Sequence, residues 1–289
     1  MESVPYAFCD AVCAVLKYLG ALMELTSDNS NCGIWKSAVE ATEAGRVHVY
    51  VNSEDGVWSY RIPKAAKKEG TNITFQDLKA ISRRCVRTSV VEIGYSYEDS
   101  HISTLDEVTE ILKYSALFVN SAEMCISEDL KIPDDILAVF LVPFHCLSFS
   151  EIYIGSYSKA AEEFLRLQLQ SEGLKIIDIR DYGWSEELRV SIERFALAKP
   201  FEDVDVTDSL VFGLNFLKKL FRKSCEHDRF TFTAPFGVKF RKIRKLQKEM
   251  QIHMDDDWII WRQRNGAEIA IHKSTDDYGR LWIEFRRKN

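Results

Sequence analysis

The segment with the clearest structural pattern is residues 151–206, EIYIGSYSKAAEEFLRLQLQSEGLKIIDIRDYGWSEELRVSIERFALAKPFEDVDV. At three places in it a polar residue lies between two apolar ones. These places are residues 152–154, 177–179 and 204–206. Two apolar residues one position apart share a face of a strand, so each place predicts a short strand with one buried face. Helical segments separate the strands, and Ser158 and Ser185 stand where N-caps are expected.

The same alternation continues on both sides of this segment. Strand-like segments begin at residues 91, 124, 152, 177, 204 and 230, and from residue 124 onward they lie 25–28 residues apart. A crossover in a doubly wound sheet usually needs about 30 or more residues per unit. A polar residue inside each strand is also unexpected where helices cover both faces of a parallel sheet. The sequence therefore predicts an α/β fold built from a parallel strand–helix repeat, leucine-rich-repeat-like, with a period of about 25–28 residues. A closed doubly wound sheet remains the alternative.

The two ends of the chain differ from the repeat. Apolar residues recur at helical spacing near the N-terminus, and two alternating segments around Gly56 predict a β-hairpin. Three strand-like segments near the C-terminus, with a turn at Asn265-Gly266, predict an antiparallel β-meander. We therefore predict an N-terminal module over residues 1–70 that consists of a helix and a β-hairpin. Residues 71–289 would form the strand–helix repeat region, closed by the C-terminal meander.

The composition predicts a globular protein of a reducing compartment, cytoplasmic or nuclear. The chain has 289 residues, a net charge of −6 and a pI near 5.6. Its seven cysteines include no Cys-x-x-Cys pair, which fits neither a disulfide framework nor a zinc ribbon. Lys17 interrupts the apolar N-terminal stretch, so we predict neither a signal peptide nor a membrane partner. The acidic pI argues against a nucleic-acid partner, and the basic run at residues 239–248 is interpreted as the solvated side of an amphipathic helix.

No pattern in the sequence specifies a catalytic or metal site. Neither a phosphate-binding loop nor a dinucleotide-binding glycine motif occurs. Ser96 follows a predicted strand, but Glu98 stands where a nucleophile elbow needs its second glycine. The six histidines include no pair spaced for zinc, and Asp255-Asp256-Asp257 is interpreted as a solvated loop. We therefore predict no catalytic residue, no metal and no cofactor.

An α/β enzyme with an unrecognised site is nevertheless one hypothesis. Such a site would need a pocket with convergent ionisable groups near the C-terminal ends of the strands. The residues available there are Tyr95, Tyr157, Asp181, Tyr182, Asp208 and His227.

The N-terminal residues resemble an F-box in outline. Pro5 opens the predicted helix, and Trp35 follows 30 residues later, as an F-box closes on an apolar-x-Trp segment. The helix positions that match the anchors of an F-box are Phe8, Val12 and Leu16. Residues 27–33 form a polar loop where an F-box has a second apolar helix, so the resemblance is to a degenerate form.

The whole chain resembles a large nematode family of F-box-associated, leucine-rich-repeat-like proteins. The segments that carry this resemblance are residues 1–12, 56–60, 183–184, 199–201 and 265–266. The family is thought to include substrate receptors of cullin-type ubiquitin ligases. The resemblance implies that the N-terminal helix docks on a Skp-type adaptor protein and that the repeat holds an unidentified protein target.

Two further hypotheses make the chain a non-enzymatic protein-binding module. In the first it is a ubiquitin-ligase substrate receptor that docks through a degenerate F-box. Its adaptor-binding residues would be Pro5, Phe8, Val12 and Leu16. In the second it is a repeat-fold interaction scaffold with no ubiquitin role, and the N-terminal helix caps the first repeat. In both, the partner contacts strand residues that point away from the helices, namely Tyr153, Asp178 and Asp205.

Overall fold

The computed structural model describes residues 46–64, 72–81, 83, 86–206, 210–224 and 230–237, together with the backbone of four strands within residues 251–287. The chain divides into two compact units. Unit 1 is Met1–Cys125 with Lys131–Ser148, and unit 2 is Ile126–Leu130 with Phe149–Asn289. Several predicted functional residues lie outside the described residues. These are Pro5, Phe8, Val12, Leu16, Asp208 and His227.

Unit 1 combines an antiparallel hairpin with parallel strands. Its elements are β1 (Arg46–Glu54), β2 (Val57–Arg61), α1 (Phe75–Ala80), β3 (Arg87–Ile93), β4 (His101–Ser103), α2 (Leu105–Ala116), β5 (Val119–Ile126), α3 (Asp134–Leu141) and a 3₁₀ helix (Val142–Phe144). The predicted hairpin is present, because β1 pairs antiparallel with β2 around Gly56, which has φ +81°. β1 also pairs in parallel with β3, and the strand order is β4-β2-β1-β3-β5.

Unit 2 continues the alternation of strand and helix. Its first elements are β6 (Phe149–Ile154), α4 (Lys159–Gln168), β7 (Ile176–Ile179), α5 (Glu186–Ala198), β8 (Asp203–Val206), α6 (Leu214–Ser224) and β9 (Thr231–Thr233). The four strands lie side by side in chain order, and each pairs in parallel with the next. The three strand positions predicted within residues 151–206 therefore coincide with β6, β7 and β8.

The C-terminal strands form a separate antiparallel sheet. They are β10 (Pro235–Phe236), β11 (Gln251–Asp255), β12 (Trp258–Arg262), β13 (Ala267–His272) and β14 (Leu281–Arg287). Their order in the sheet is β10-β14-β13-β12-β11. Consecutive strands from β11 to β14 pair antiparallel, which confirms the predicted meander. The predicted basic helix at residues 239–248 lies outside the described residues.

Side-chain caps fix where four of the six described α-helices begin. The capping side chains are Thr74, Thr104, Ser158 and Ser185, and each accepts a hydrogen bond from a backbone N–H in the first turn. Such a cap satisfies one of the four N–H groups that a helix start leaves without an intrahelical partner. The six helices accompany a nine-stranded, mostly parallel sheet, so the predicted α/β class is confirmed.

Burial alternates along the parallel strands of unit 2. Apart from Phe149 at the start of β6, the fully buried strand residues are Ile152, Ile154, Ile177, Ile179, Val204, Val206 and Phe232. Because successive strand residues point to opposite faces, these side chains share one face, and it packs in the core. Beyond the buried Phe149, the other face carries half-buried side chains, and we call it the open face. Its residues are Glu151, Tyr153, Ile176, Asp178, Asp203, Asp205, Thr231 and Thr233.

An aromatic cluster fills the core of unit 2 around β9. The Phe232 ring centroid lies 5.3 Å from that of Phe216, 5.4 Å from that of Phe212 and 6.3 Å from that of Phe201. Phe236 is 6.5 Å away, and all five rings are buried. The three closest pairs with Phe232 are edge-to-face, a geometry that contributes about 0.5–1.5 kcal/mol per pair beyond the buried area.

Two lysines of unit 2 donate hydrogen bonds to backbone carbonyls at the C-terminal ends of preceding helices. Lys199 Nζ donates to the carbonyls of residues 169–171, just after α4, at 2.5–3.3 Å. Lys223 Nζ, on α6, donates to the carbonyls of Ala196 at 2.6 Å and Lys199 at 2.5 Å, at the end of α5. The last carbonyls of a helix lack intrahelical partners, and a cation also suits the helix dipole there. Burial lowers the pKa of Lys223 to about 8.

Candidate functional site

The three strand residues predicted to contact a partner lie in one row across the open face. Tyr153 on β6 is paired in register with Asp178 on β7, and Asp178 is paired with Asp205 on β8. All three side chains are half-buried. The next row on the same face consists of Glu151, Ile176 and Asp203. The structure thus brings the predicted strand residues together, while their role as contacts stays a prediction.

The open face is acidic. The strands β6 to β9 contain four carboxylates and neither lysine nor arginine. The four are Glu151, Asp178, Asp203 and Asp205, and all of them belong to the open face. Adjacent strands are about 4.7–4.9 Å apart, and like charges directly opposite each other destabilise a sheet. The register of Asp178 against Asp205 is such an arrangement.

One arginine beside the strands offsets part of this charge. Arg180, just after β7, donates from Nε to Asp178 Oδ1 at 2.9 Å and from Nη2 to Asp178 Oδ2 at 2.8 Å. The hydrogen bond and the charge of Asp178 raise the pKa of Arg180 above its usual value, and the charges of Asp205 and Glu128 raise it further. The open face therefore already holds one guanidinium in a bidentate pair, the strongest form of carboxylate recognition by arginine.

The loop after β7 is fixed by its own polar groups. Asp181 has φ +74°, and its carboxylate accepts from the backbone N–H of Tyr157 at 2.9 Å and of Tyr182 at 2.7 Å. Trp184 is buried, and its Nε1 donates to the Arg180 carbonyl at 2.9 Å. Its ring packs edge-to-face on Tyr157 at 5.2 Å. Among the candidates for an enzymatic site, Asp181 and Tyr157 thus take part in holding the loop, and Tyr182 is 67% exposed.

A cleft of about 470 Å³ lies between this loop and α4. Its one buried carboxylate, Glu162, accepts from the Ser185 backbone N–H at 3.2 Å and from the Ser185 hydroxyl. That carboxylate therefore supports the N-cap of α5. The other charged lining residues are exposed, namely Lys159, Glu163 and Arg166. The cleft lining thus gives the enzyme hypothesis no set of buried ionisable groups that converge on one point.

Unit 1 contains an aromatic and charged cluster that the sequence does not predict. The Tyr50 and Tyr97 ring centroids are 4.7 Å apart, and the Arg61 guanidinium lies 4.9 Å from the Tyr97 centroid and 5.7 Å from that of Tyr50. The Tyr97 hydroxyl donates to Glu92 Oε2 at 2.6 Å, and Arg61 Nε is 2.9 Å from Asp99 Oδ1. Burial raises the pKa of Glu92 and raises that of Tyr50 to about 12. Two tyrosine faces and a carboxylate here surround an arginine.

The segment around Ser96 belongs to the loop that carries Tyr97. The Ser96 hydroxyl is exposed and donates to Glu54 Oε2 at a long 3.5 Å.

Across the described ranges, no group of three or more His, Cys, Asp or Glu side chains could hold a metal ion. Among the helices that the structure describes, none combines the length and the apolar character needed to cross a membrane.

Comparison with known proteins adds no assignment. No protein-family model matches the chain, and neither a curated protein nor a solved structure matches it.

Proposed function

We propose that the chain is a non-enzymatic protein-binding module whose open face in unit 2 holds a partner protein. The observation that carries the proposal is the row formed by Tyr153, Asp178 and Asp205, which come from three successive strands. Each side chain stands on a strand whose alternate residues are fully buried, so the row has a rigid base. A broad row of this kind suits a polypeptide, whereas a small ligand is usually enclosed in a concave pocket.

The architecture that we propose for this module is a leucine-rich-repeat-like array. Three observations support it: strand starts 25–28 residues apart, strands of unit 2 side by side in chain order, and a helix between each strand and the next. In such an array every repeat adds one strand to the same face. The recognition surface therefore lengthens by one position in each row with each repeat.

Tyr153 is the residue of the open face best suited to anchor a partner. Tyrosine supplies a large apolar ring with a polar tip, and it is enriched among the residues that dominate binding energy in interfaces. The Tyr153 hydroxyl donates to Glu151 Oε2 at 3.1 Å, which holds the phenol tip in place on the face. An anchor that is ordered before binding loses little conformational entropy when the partner arrives.

Tyr153→Ala is expected to weaken partner binding by about tenfold or more, because it removes the aromatic side chain of the row. Random peptides of about 12 residues, long enough to span the face when extended, would be selected by display on the immobilised full chain. The affinity of the best binder would then be measured by fluorescence anisotropy. Leu167→Ala, at an exposed position on α4, is the control and should leave the affinity unchanged. Equal affinities for Tyr153→Ala and wild type would contradict the proposal.

A second role, as a substrate receptor of a cullin-type ubiquitin ligase, is favoured by the resemblance of the N-terminal residues to a degenerate F-box. We propose that Pro5, Phe8, Val12 and Leu16 dock on a Skp-type adaptor while the open face holds the target. Apolar anchors at i, i+4 and i+8 are the pattern by which an amphipathic helix enters a groove. Without the adaptor, the same open face would serve a scaffold with no ubiquitin role.

Phe8→Asp is expected to abolish capture of the intact chain by an immobilised Skp-type adaptor, because a carboxylate would enter an apolar groove. Ile102→Asp is the matched control, since Ile102 is 81% exposed and the same change there should leave capture intact. Circular dichroism checks that both variants fold. If the wild-type chain is not captured, the ligase role is wrong and the scaffold role remains. If Phe8→Asp unfolds the chain, Phe8 belongs to the core.

A further inference from the structure

We infer that the partner segment recognised by the open face is basic: an extended polypeptide that presents arginine or lysine side chains to the row of Tyr153, Asp178 and Asp205. The inference rests on the proposed function, because it specifies the chemistry of the partner at the same face. Four features of the described residues carry it. They are the charge of the strands, the register of two aspartates, the neighbouring tyrosine, and an arginine site of similar composition elsewhere in the chain.

The charged side chains on the strands of the open face are all acidic, and Arg180 just after β7 offsets part of this charge. The strands β6 to β9 carry four carboxylates and no cationic side chain. In unit 1, β1 and β3 each carry an arginine and a carboxylate, and β2 carries Arg61 without a carboxylate. β5 carries Glu123 and neither lysine nor arginine. The parallel strands of unit 2 are therefore the more acidic ones, with four carboxylates on β6 to β8. Complementary charge across an interface steers encounter and selects partners, so such a face selects a cationic segment.

The register of the sheet keeps two of these carboxylates close together. Asp178 and Asp205 are directly opposite each other on neighbouring parallel strands. Their mutual repulsion opposes folding, and Arg180 relieves it from the end of β7. A cation from a partner would relieve it further. Binding of a basic segment would therefore reduce a charge repulsion that destabilises the isolated chain.

Tyr153 extends the row with an aromatic ring beside these carboxylates. Arginine recognises such a combination in two ways at once, by stacking its planar guanidinium on a ring and by pairing with a carboxylate. Unit 1 contains an example within this chain. There the Arg61 guanidinium lies 4.9 Å from the Tyr97 ring centroid and pairs with Asp99 at 2.9 Å. The open face of unit 2 presents the same two types of group, a tyrosine and carboxylates, in the row that crosses β6, β7 and β8.

The inference is tested with the paired substitution Asp178→Asn and Asp205→Asn in the full chain. Asparagine keeps the shape of aspartate and removes its charge. The double variant loses the repulsion between the two carboxylates but also the bidentate pair of Asp178 with Arg180, so circular dichroism and thermal unfolding check that it folds. Peptides of about 12 residues selected on the wild type should be enriched in arginine and lysine. Their affinity should fall by about tenfold or more in the double variant, and rising salt should weaken binding to the wild type.

The matched control is Glu163→Gln with Glu187→Gln. It also removes two carboxylates from unit 2, but from exposed positions on α4 and α5. An equal loss of affinity in this control would overturn the inference, because net charge alone would then explain binding.

The remaining outcomes separate the inference from the proposed function. Selected peptides without basic enrichment, weakened by Tyr153→Ala but unaffected by the two asparagines, would overturn the basic partner and leave the binding face standing. Peptides that are indifferent to Tyr153→Ala and to the asparagine pair would overturn both. A selection that returns no binder to the wild type would contradict the proposed function itself.

Discussion

Gly155→Ala is expected to lower the free energy of unfolding by about 3 kcal/mol, because the added methyl group has no room. A Cβ at residue 155 would overlap the backbone N of Glu128 and lie 2.6 Å from its Cα. Neither chain segment can move away freely, since Gly155 N–H donates to the Ile126 carbonyl at 2.8 Å. The close approach of two backbones after their strands end thus requires glycine at this position.

Equilibrium denaturation of the full chain, followed by circular dichroism, measures this effect. Gly213→Ala is the matched control, because a Cβ there would meet no atom within 4 Å. Gly213 precedes α6, and its carbonyl accepts from Leu217 N–H, so the control should cost at most about 1 kcal/mol through the weaker cap. Similar losses for the two variants would show that the segment around Glu128 yields to the methyl group.

Phe232→Ala is expected to lower the free energy of unfolding by about 4 kcal/mol, the usual cost of removing a fully buried aromatic ring. Phe232 is 0% exposed, and it contacts rings from three other parts of unit 2, Phe201, Phe212 and Phe216. Its removal therefore takes away both buried area and several edge-to-face contacts. Because those rings come from different elements, the space left behind cannot close through one local movement.

Phe232→Leu separates cavity formation from the loss of one apolar group. Leucine keeps most of the buried volume, so the expected cost is about 1–2 kcal/mol. Tyr182→Ala, at a 67% exposed aromatic position, should change stability by less than about 0.5 kcal/mol. A Phe232→Ala cost as small as that of Phe232→Leu would mean that the aromatic cluster repacks around the missing ring.

The strands of unit 2 could be predicted from the sequence because their signal is local. In β7 the order Ile177, Asp178, Ile179 predicts that the two isoleucines are buried and that the aspartate lies on the other face. The structure has that burial pattern. The N-caps Ser158 and Ser185 are local signals too, since a cap acts within its own first turn. The placement of Tyr153, Asp178 and Asp205 in one row follows from this alternation once the strands pair in register.

The unit 1 cluster could not be predicted, because it joins residues that are distant in the sequence. The sequence does predict the strand position of Glu92, because it is a polar residue between two apolar residues that are buried in β3. Tyr97 and Asp99 belong to an irregular loop without periodicity, and Arg61 comes from the hairpin. Their contacts depend on where β1, β2 and β3 lie in the sheet. The same limit applies to Gly155, whose need for glycine arises from a backbone 27 residues away.

The two lysines that complete helix ends determine where unit 2 can be shortened. A truncation after residue 210 would remove Lys223 together with α6, and the carbonyls of Ala196 and Lys199 would lose their ammonium donor. The end of α5 would then fray, although every residue of that helix remained in the fragment. The ends of α4 and α5 are therefore both satisfied by a lysine from a later segment, so a deletion that ends directly after α5 would yield an incomplete fragment. A stable fragment of unit 2 that keeps α5 intact must therefore extend to Lys223 on α6.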